Sequence, residues 1–221
     1  MATTARFRDR AEAGRTLGAL VADRLAARGD DVGTVVVLGL PRGGVPVAAE
    51  VAASIAAPLD VFVVRKVGVP GQPELAMGAV ASGGTRVVNE DVIRLAGVTD
   101  AELERVTAAE RELLAQRERS YRGDRPPIDV AGKTVVVVDD GLATGASMRA
   151  AVAALRIRHP RELVVAVPVA PYGAGDELAA VADGVVVART PEPFFAVGHW
   201  YDDFSEVSDD EVRAALGVHP R

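Results

Sequence analysis

The sequence predicts an α/β protein in which a mostly parallel sheet is covered by helices on both faces. Three observations carry this. Five short runs (34–40, 59–64, 134–138, 162–169 and 184–189) are apolar almost without interruption and rich in valine, as strands buried on both faces are. Segments of helical periodicity lie between them, which is the alternation of a parallel sheet with crossover helices. Charged residues and glycines gather at the carboxyl ends of the runs, at Arg42-Gly43-Gly44, Arg65-Lys66 and Asp139-Asp140. In open α/β sheets that edge is where ligands bind.

Taken in order, 9–28 is a helix with Ala11, Leu17, Leu20, Val21 and Leu25 on one face and Gly29-Asp30 as its stop. Strand 34–40 follows, then the loop Pro41-Arg42-Gly43-Gly44 and an alanine-rich helix to about Ile55. The third segment, 59–64, is a strand that ends in Arg65-Lys66. The stretch 67–76 holds Gly68, Pro70, Gly71 and Pro73 and is expected to be neither helix nor regular strand. A hairpin pairs 77–82 with 85–88 across Gly83-Gly84. Segment 100–120 is a long helix with a narrow stripe of Leu103, Val106, Leu113 and Leu114, its other faces filled by charges. Strand 134–138 precedes the alanine-rich helix 146–155, and strand 162–169, a loop with a short helix (171–182) and strand 184–189 complete the series. The tail, 190–221, holds most of the scarce aromatics (Phe194, Phe195, Trp200, Tyr201, Phe204), followed by Asp202, Asp203 and Glu206.

Length and composition narrow the classes. The 221 residues suit one domain over 1–221, with 190–221 as an aromatic and acidic tail contributing to a small lobe. A net charge of -6 argues against nonspecific nucleic-acid binding, which needs a basic surface. Cysteine is absent, so disulfides, thiolate zinc sites and cysteine nucleophiles are excluded. The three histidines (His159, His199, His219) are scattered and suggest no metal site. The first ten residues are polar with no apolar core, and no apolar run approaches about 18 residues. The expectation is a soluble cytoplasmic protein, without membrane or nucleic-acid partners.

The most informative stretch runs from Thr134 to Ser147. A buried strand leads into the acids Asp139 and Asp140, then a small-residue loop (Gly141, Leu142, Ala143, Thr144, Gly145), then a helix that begins near Ala146. A helix N-terminus with free N–H groups and small side chains receives anions. Two carboxylates beside it do not suit a lone phosphate. They suit a ligand with a phosphate at one end and hydroxyls or a metal at the other, which is the shape of a ribose 5-phosphate. An ordinary strand–loop–helix unit with capping aspartates fits the same residues. A Walker A loop is excluded, because no Gly-Lys-Ser/Thr follows. A response-regulator acid pocket draws its carboxylates from separate strand ends and does not require Thr-Gly-x-Ser.

This stretch resembles the phosphoribosyl-pyrophosphate (PRPP) signature of type I phosphoribosyltransferases: an apolar strand, two acids, a short linker, then Thr-Gly-x-Ser/Thr. The other segments match as well, so the resemblance spans most of the chain and looks closest to bacterial members with an undefined acceptor. It implies a five-stranded parallel core with a small hood over the carboxyl edge, PRPP and a small-molecule acceptor as substrates, Mg²⁺ as cofactor, and a homodimer. In the family the loop after the strand equivalent to 34–40 binds pyrophosphate, and Arg42-Gly43-Gly44 matches it in place and chemistry. Arg65 and Lys66 resemble a basic position that touches pyrophosphate; a surface lysine is the other reading of Lys66. The resemblance makes Gly141–Ser147 part of the PRPP-binding loop and puts the 5-phosphate on the backbone of Thr144–Ser147, with Thr144 and Ser147 as hydroxyl donors. It puts the ribose hydroxyls on Asp139 and Asp140, directly or through Mg²⁺ and water.

The family also carries a mobile loop near 67–76 that closes over the site. Glu74 is its only acid, and a catalytic or substrate-contacting role falls to it there. The hood reads the base and varies across the family. Phe195, Trp200 and Tyr201 would stack a flat base; sealing the sheet's end or forming a dimer contact explains them equally. Arg117 and Arg119 belong either to a solvated helix face or to arginines that approach the pyrophosphate site or a partner subunit. Ala143 stands where 6-oxopurine members carry an acid, which argues against hypoxanthine or guanine without establishing adenine. Two rivals remain: a PRPP-sensing regulator without catalysis, for which no DNA-binding helix pair or basic lobe is visible, and a PRPP synthetase-like kinase, which lacks an evident ATP site.

Overall fold

A computed structural model describes residues 5–218; His219 lies outside them. Helix α1 (Arg10–Arg28) is capped by Asp9, whose carboxylate accepts from the Glu12 N–H, and ends at left-handed Gly29. Strand β1 (Val35–Gly39) is buried along its whole length and feeds α2 (Gly44–Ser54). The run 59–64, expected as one strand, serves two sheets. Its first half is β2 (Leu59–Val61), and after Phe62-Val63 the chain leaves to start β3 (Val64–Val69).

The segment 67–76 corrects the sequence expectation: most of it is strand. β3 turns at Pro70-Gly71 into β4 (Gln72–Ala81), which pairs with it antiparallel, and β5 (Thr85–Val88) adds the third strand. The glycines and prolines mark irregularities within the ladder. Gly71 takes φ 79° at the turn. The register passes from Gly68↔Ala76 to Val69↔Gln72, so residues 73–75 bulge out of the pairing and Pro73 has no ladder bond to forfeit.

Helix α3 (Glu90–Ala96), capped by Asn89, is short and had no sequence signal strong enough to mark it. After it come α4 (Asp100–Arg122), which opens with a Thr99/Glu102 capping box, β6 (Thr134–Val138), α5 (Ala146–Arg156), β7 (Glu162–Val169), α6 (Ala174–Ala179) and β8 (Gly184–Arg189). A second short helix without a sequence signal, α7 (Asp209–Ala215), follows the tail, with Ser208 and Glu211 as its capping box.

The main sheet has five strands in the order β2-β1-β6-β7-β8, all parallel. Strand β6 explains the valine run. Val135 and Val137 pack on one face with Val152 and Leu155 of α5, while Val136 and Val138 pack on the other with Leu17, Val21, Val47 and Val51 of α1 and α2. A strand covered on both faces has no polar side to alternate with. The small antiparallel sheet β3-β4-β5, α4 and the tail share a third core around Met77, Leu103, Leu114, Tyr121, Val207 and Val212. Arg122 pins the end of α4 to β2. Its Nε donates to Asp60 Oδ1 at 2.7 Å, Asp60 Oδ2 accepts from the Ile128 N–H at 3.0 Å, and Glu118 takes the other side of the guanidinium. No helix among the described residues is long and apolar enough to cross a membrane.

Candidate active site

Parallel strands deliver their carboxyl ends to one edge, and the Arg42 loop and the acids Asp139 and Asp140 meet there. Asp139 and Asp140 follow β6. Gly43 and Gly44 open α2 directly against them. A Cβ on Gly43 would stand 1.9 Å from Asp140 Oδ2, and one on Gly44 would stand 2.7 Å from the Val138 carbonyl oxygen and 2.8 Å from Asp139 Cα. The two glycines are therefore required by the acid pair: no side chain fits between the Arg42 loop and the end of β6. The Pro41–Arg42 peptide is cis.

Asp139 accepts a hydrogen bond from the Asp140 N–H at 2.9 Å. Burial pushes its carboxyl well above the ordinary aspartate range, and the neighbouring Asp140 charge pushes the same way. Burial also raises Asp140, but Arg10 opposes it. Arg10 Nε and Nη2 both lie 2.9 Å from Asp140 Oδ2. Arg10 is held in turn by the tail: its guanidinium stacks on Phe204 at 4.0 Å, and Nη1 donates to the Ser205 carbonyl at 2.8 Å. Tyr201 donates its hydroxyl to the Asp140 carbonyl at 2.5 Å. The N-terminal segment reaches this place by pairing with the tail, through Phe7 N–H to the Trp200 carbonyl and Asp202 N–H to the Phe7 carbonyl, both 2.8 Å.

Beyond the acids the loop is built from small residues. Gly141 sits under Val197, where a Cβ would lie 2.4 Å from Val197 Cγ1. Leu142 is buried and donates its N–H to the Val169 carbonyl at 2.8 Å, which ties the loop to β7. Ala143, Thr144 and Ser147 are exposed; Gly145 takes φ 68° as the residue before α5, and Ala146 begins the helix. The first N–H groups of α5 have no partner within the helix. An exposed hydroxyl on each side of an uncapped helix start suits an oxyanion.

A second feature lies beside Arg42. A cavity of about 320 Å³ is lined by Pro41, Arg42, Val63, Val64, Arg65, Arg117 and Tyr121. Arg65 donates its Nε to Glu110 Oε2 at 2.6 Å. Arg42 pairs with Glu206 and lies 3.7 Å from Asp209. Lys66 does not line this cavity; it follows Arg65 on a strand, so its side chain leaves from the other face, and it is exposed. Glu74 is exposed in the bulge of β4 and has no hydrogen bond or ion pair among the described residues. The structure thus gathers Arg42, Gly43, Gly44, Asp139 and Asp140 at one point and leaves Lys66 and Glu74 apart from it.

The aromatic tail divides. Tyr201 is only 2 % exposed, packed on Phe7 and Phe204 at ring distances of 5.8 and 5.0 Å. This corrects the stacking expectation for Tyr201, whose ring has no free face. Trp200 is half-buried, and Phe195, 76 % exposed, meets His199 edge-on at 6.1 Å. Of Arg117 and Arg119, Arg117 lines the arginine cavity and Arg119 does not. The residues that sequence reasoning missed are Arg10, Tyr121, Glu206 and Asp209 as partners in this region. Arg10 did leave a trace: a base at the first position of a helix opposes the dipole there, and that invites a reason.

Among the described residues no group of three or more His, Cys, Asp or Glu could hold a metal by itself. The adjacent carboxylates of Asp139 and Asp140 still fit Mg²⁺, which is commonly held by one or two carboxylates with ligand phosphates and water. Their crowded negative charge is what a cation would relieve.

Comparison with known proteins identifies the family of the chain. The family model described as "Phosphoribosyl transferase domain" matches residues 11–198. Two proteins of Mycobacterium tuberculosis (strains CDC 1551 / Oshkosh and ATCC 25618 / H37Rv), each named "Putative phosphoribosyl transferase", are 48 % identical over 210 residues. Those residues make up 95 % of this chain and 46 % of the relatives, so the chain spans about half the length of the curated relatives it matches. The crystal structure of the Thermus thermophilus protein TT1426 superposes with a TM-score of 0.82 at 48 % identity, covering 96 % of this chain and 97 % of that one.

Proposed function

The chain belongs to the phosphoribosyl transferase domain family, and from that premise we propose that it transfers ribose 5-phosphate from PRPP to a nitrogenous acceptor, a nucleobase, with Mg²⁺ and with release of pyrophosphate. The observation that carries this reading is the packing of Gly43-Gly44 against Asp139-Asp140. It brings an arginine loop and an acid pair within one ligand's length of a helix N-terminus.

In the proposed reaction the bond from ribose C1 to the pyrophosphate oxygen breaks, and its electron pair leaves with pyrophosphate. The acceptor nitrogen forms the new bond at C1 and releases its proton to the departing pyrophosphate or to solvent. Positive charge builds on the ribose as the bond breaks, and the Asp139 and Asp140 carboxylates would stabilise it. Their oxygens would hold the ribose 2- and 3-hydroxyls and the metal; Mg²⁺ bound there would neutralise the departing diphosphate. Arg42 and Arg65 take the same charge from the other side, with Lys66 as an outlying cation. The N–H groups from Thr144 to Ser147, with the hydroxyls of Thr144 and Ser147, would hold the 5-phosphate. Each helix-terminal contribution is worth roughly 0.3–2 kcal/mol, so several must act together.

Glu74 and Lys66 keep their roles only if the β3–β4 hairpin folds over the bound ligand and excludes water, which would otherwise capture the ribosyl centre. The exposed Phe195 ring is the one best presented to a flat base, and the half-buried Trp200 is the second candidate. A homodimer in the cytoplasm completes the proposal.

The test is pyrophosphate release from PRPP and Mg²⁺ across a panel of nucleobases. Release with one base is expected, falling by about two orders of magnitude or more in Asp139→Asn/Asp140→Asn with the fold intact. A near-normal rate in that variant would remove the assigned role of the acids. Binding of PRPP without release for any base would instead favour a PRPP sensor.

A further inference from the structure

The arginine cavity contains more charge than Arg42 and Arg65, which the sequence assigned to pyrophosphate together with Lys66 and which alone of those three line it. Its third cation comes from α4. Arg117 Nη1 donates to the Tyr121 hydroxyl at 3.0 Å, and that hydroxyl donates to Asp209 Oδ1 at 2.9 Å. Asp209 also lies 3.6 Å from Arg117 and 3.7 Å from Arg42, and Glu206 pairs with Arg42. Three arginines thus face three carboxylates, Glu110, Glu206 and Asp209, around one cavity.

We propose that Arg117 is a third diphosphate-binding residue, and that the tail carboxylates Glu206 and Asp209 occupy the diphosphate's place in the free protein and are displaced by it. This rests on the reading of the site as one for PRPP and adds a residue and a competitor to it. The carboxylates are not equivalent. Glu110 holds Arg65 at 2.6 Å from within α4 and is mostly buried; Glu206 is 79 % exposed at its side chain, and Asp209 is 40 % exposed. An exposed ion pair is weak, because water solvates both partners once it opens. A diphosphate offers several oxygens at once to the forked guanidiniums, where each tail acid offers a single carboxylate. Displacing the tail acids costs little and frees Arg42 and Arg117 together. Tyr121 is fully buried, so it fixes Arg117 toward the cavity whichever anion is present.

The arrangement predicts opposite signs for the two sides of the network. Calorimetry of the full chain with Mg²⁺, using inorganic pyrophosphate and separately PRPP, compares wild type, Arg117→Gln and Glu206→Gln/Asp209→Asn. Arg117→Gln is expected to weaken pyrophosphate about tenfold or more, the loss typical of a charge-assisted hydrogen bond. The double acid variant is expected to tighten it about two- to fivefold, the scale of exposed pairs. Unchanged affinity in Arg117→Gln, equal or weaker affinity in the acid variant, or no binding of pyrophosphate to wild type would overturn the inference. Pyrophosphate binding with both predicted shifts but without PRPP binding would leave the cavity as a polyanion site and remove the ribosyl reading instead.

Discussion

Asp139 is held where its own charge is disfavoured. Burial and Asp140 both raise its pKa, and the one hydrogen bond that it accepts, from the Asp140 N–H, does not offset them. Below the ordinary aspartate value of about 3.9 the folded and unfolded chains are both protonated, and the site costs nothing. As pH rises from there toward the raised folded value, the unfolded chain ionises first and stability falls; above it the penalty is constant. Asparagine keeps the acceptor oxygen and removes the charge. Asp139→Asn is therefore expected to melt a few degrees above wild type at pH 7. Thermal melts across pH check this: the gap should narrow as pH falls toward the ordinary aspartate range. A lower melting temperature for the variant at pH 7 would mean that the free carboxylate is not under strain. A higher melting temperature would make Asp139 a residue whose neutralisation stabilises the fold and damages turnover, as groups kept for function tend to be.

At the scale of elements, the site is the meeting of the α2 N-terminus with the β6 carboxyl end. Gly43→Ala tests that joint. The added methyl has no room beside Asp140, so the acid or the loop must move. PRPP affinity should fall about tenfold or more, with a lower melting temperature; unchanged binding would mean that the two loops do not act on one ligand. Much of this was legible in the sequence. The main-sheet strands could be read because each has apolar neighbours on both faces and so lacks alternation, although the 59–64 run divided between two sheets, and the acid pair because it follows such a run. The β3–β4 hairpin was not, because its glycines and prolines sit at a turn and a bulge, where they permit a strand pair that composition alone argues against. Helix α7 is short, and its apolar residues mean little until Val212 is seen packing on the hood. Arg10 is 130 residues from Asp140, a separation that no local pattern spans.

Over the whole molecule, the two ends of the described chain close the ligand edge. The segment around Phe7 pairs with the tail around Tyr201, Arg10 reaches Asp140 from that junction, and Glu206 and Asp209 reach Arg42. The tail is anchored through the third core, which it shares with β3, β4 and α4, so its packing and the site are linked. Val212→Ala should cost about 2 kcal/mol, a fully buried valine's worth of apolar contact, and lower the melting temperature by roughly 4–8 °C. A shift under a degree would mean that α7 is not part of the cooperative fold. Everything proposed for the ligand edge depends on the acid pair and the arginine loop receiving PRPP together. Calorimetric titration of PRPP into the full chain, with and without Mg²⁺, puts that dependence to the test. Saturable, Mg²⁺-dependent binding that is lost in Asp139→Asn/Asp140→Asn is expected; no binding by wild type, or the same affinity in the variant, would contradict it.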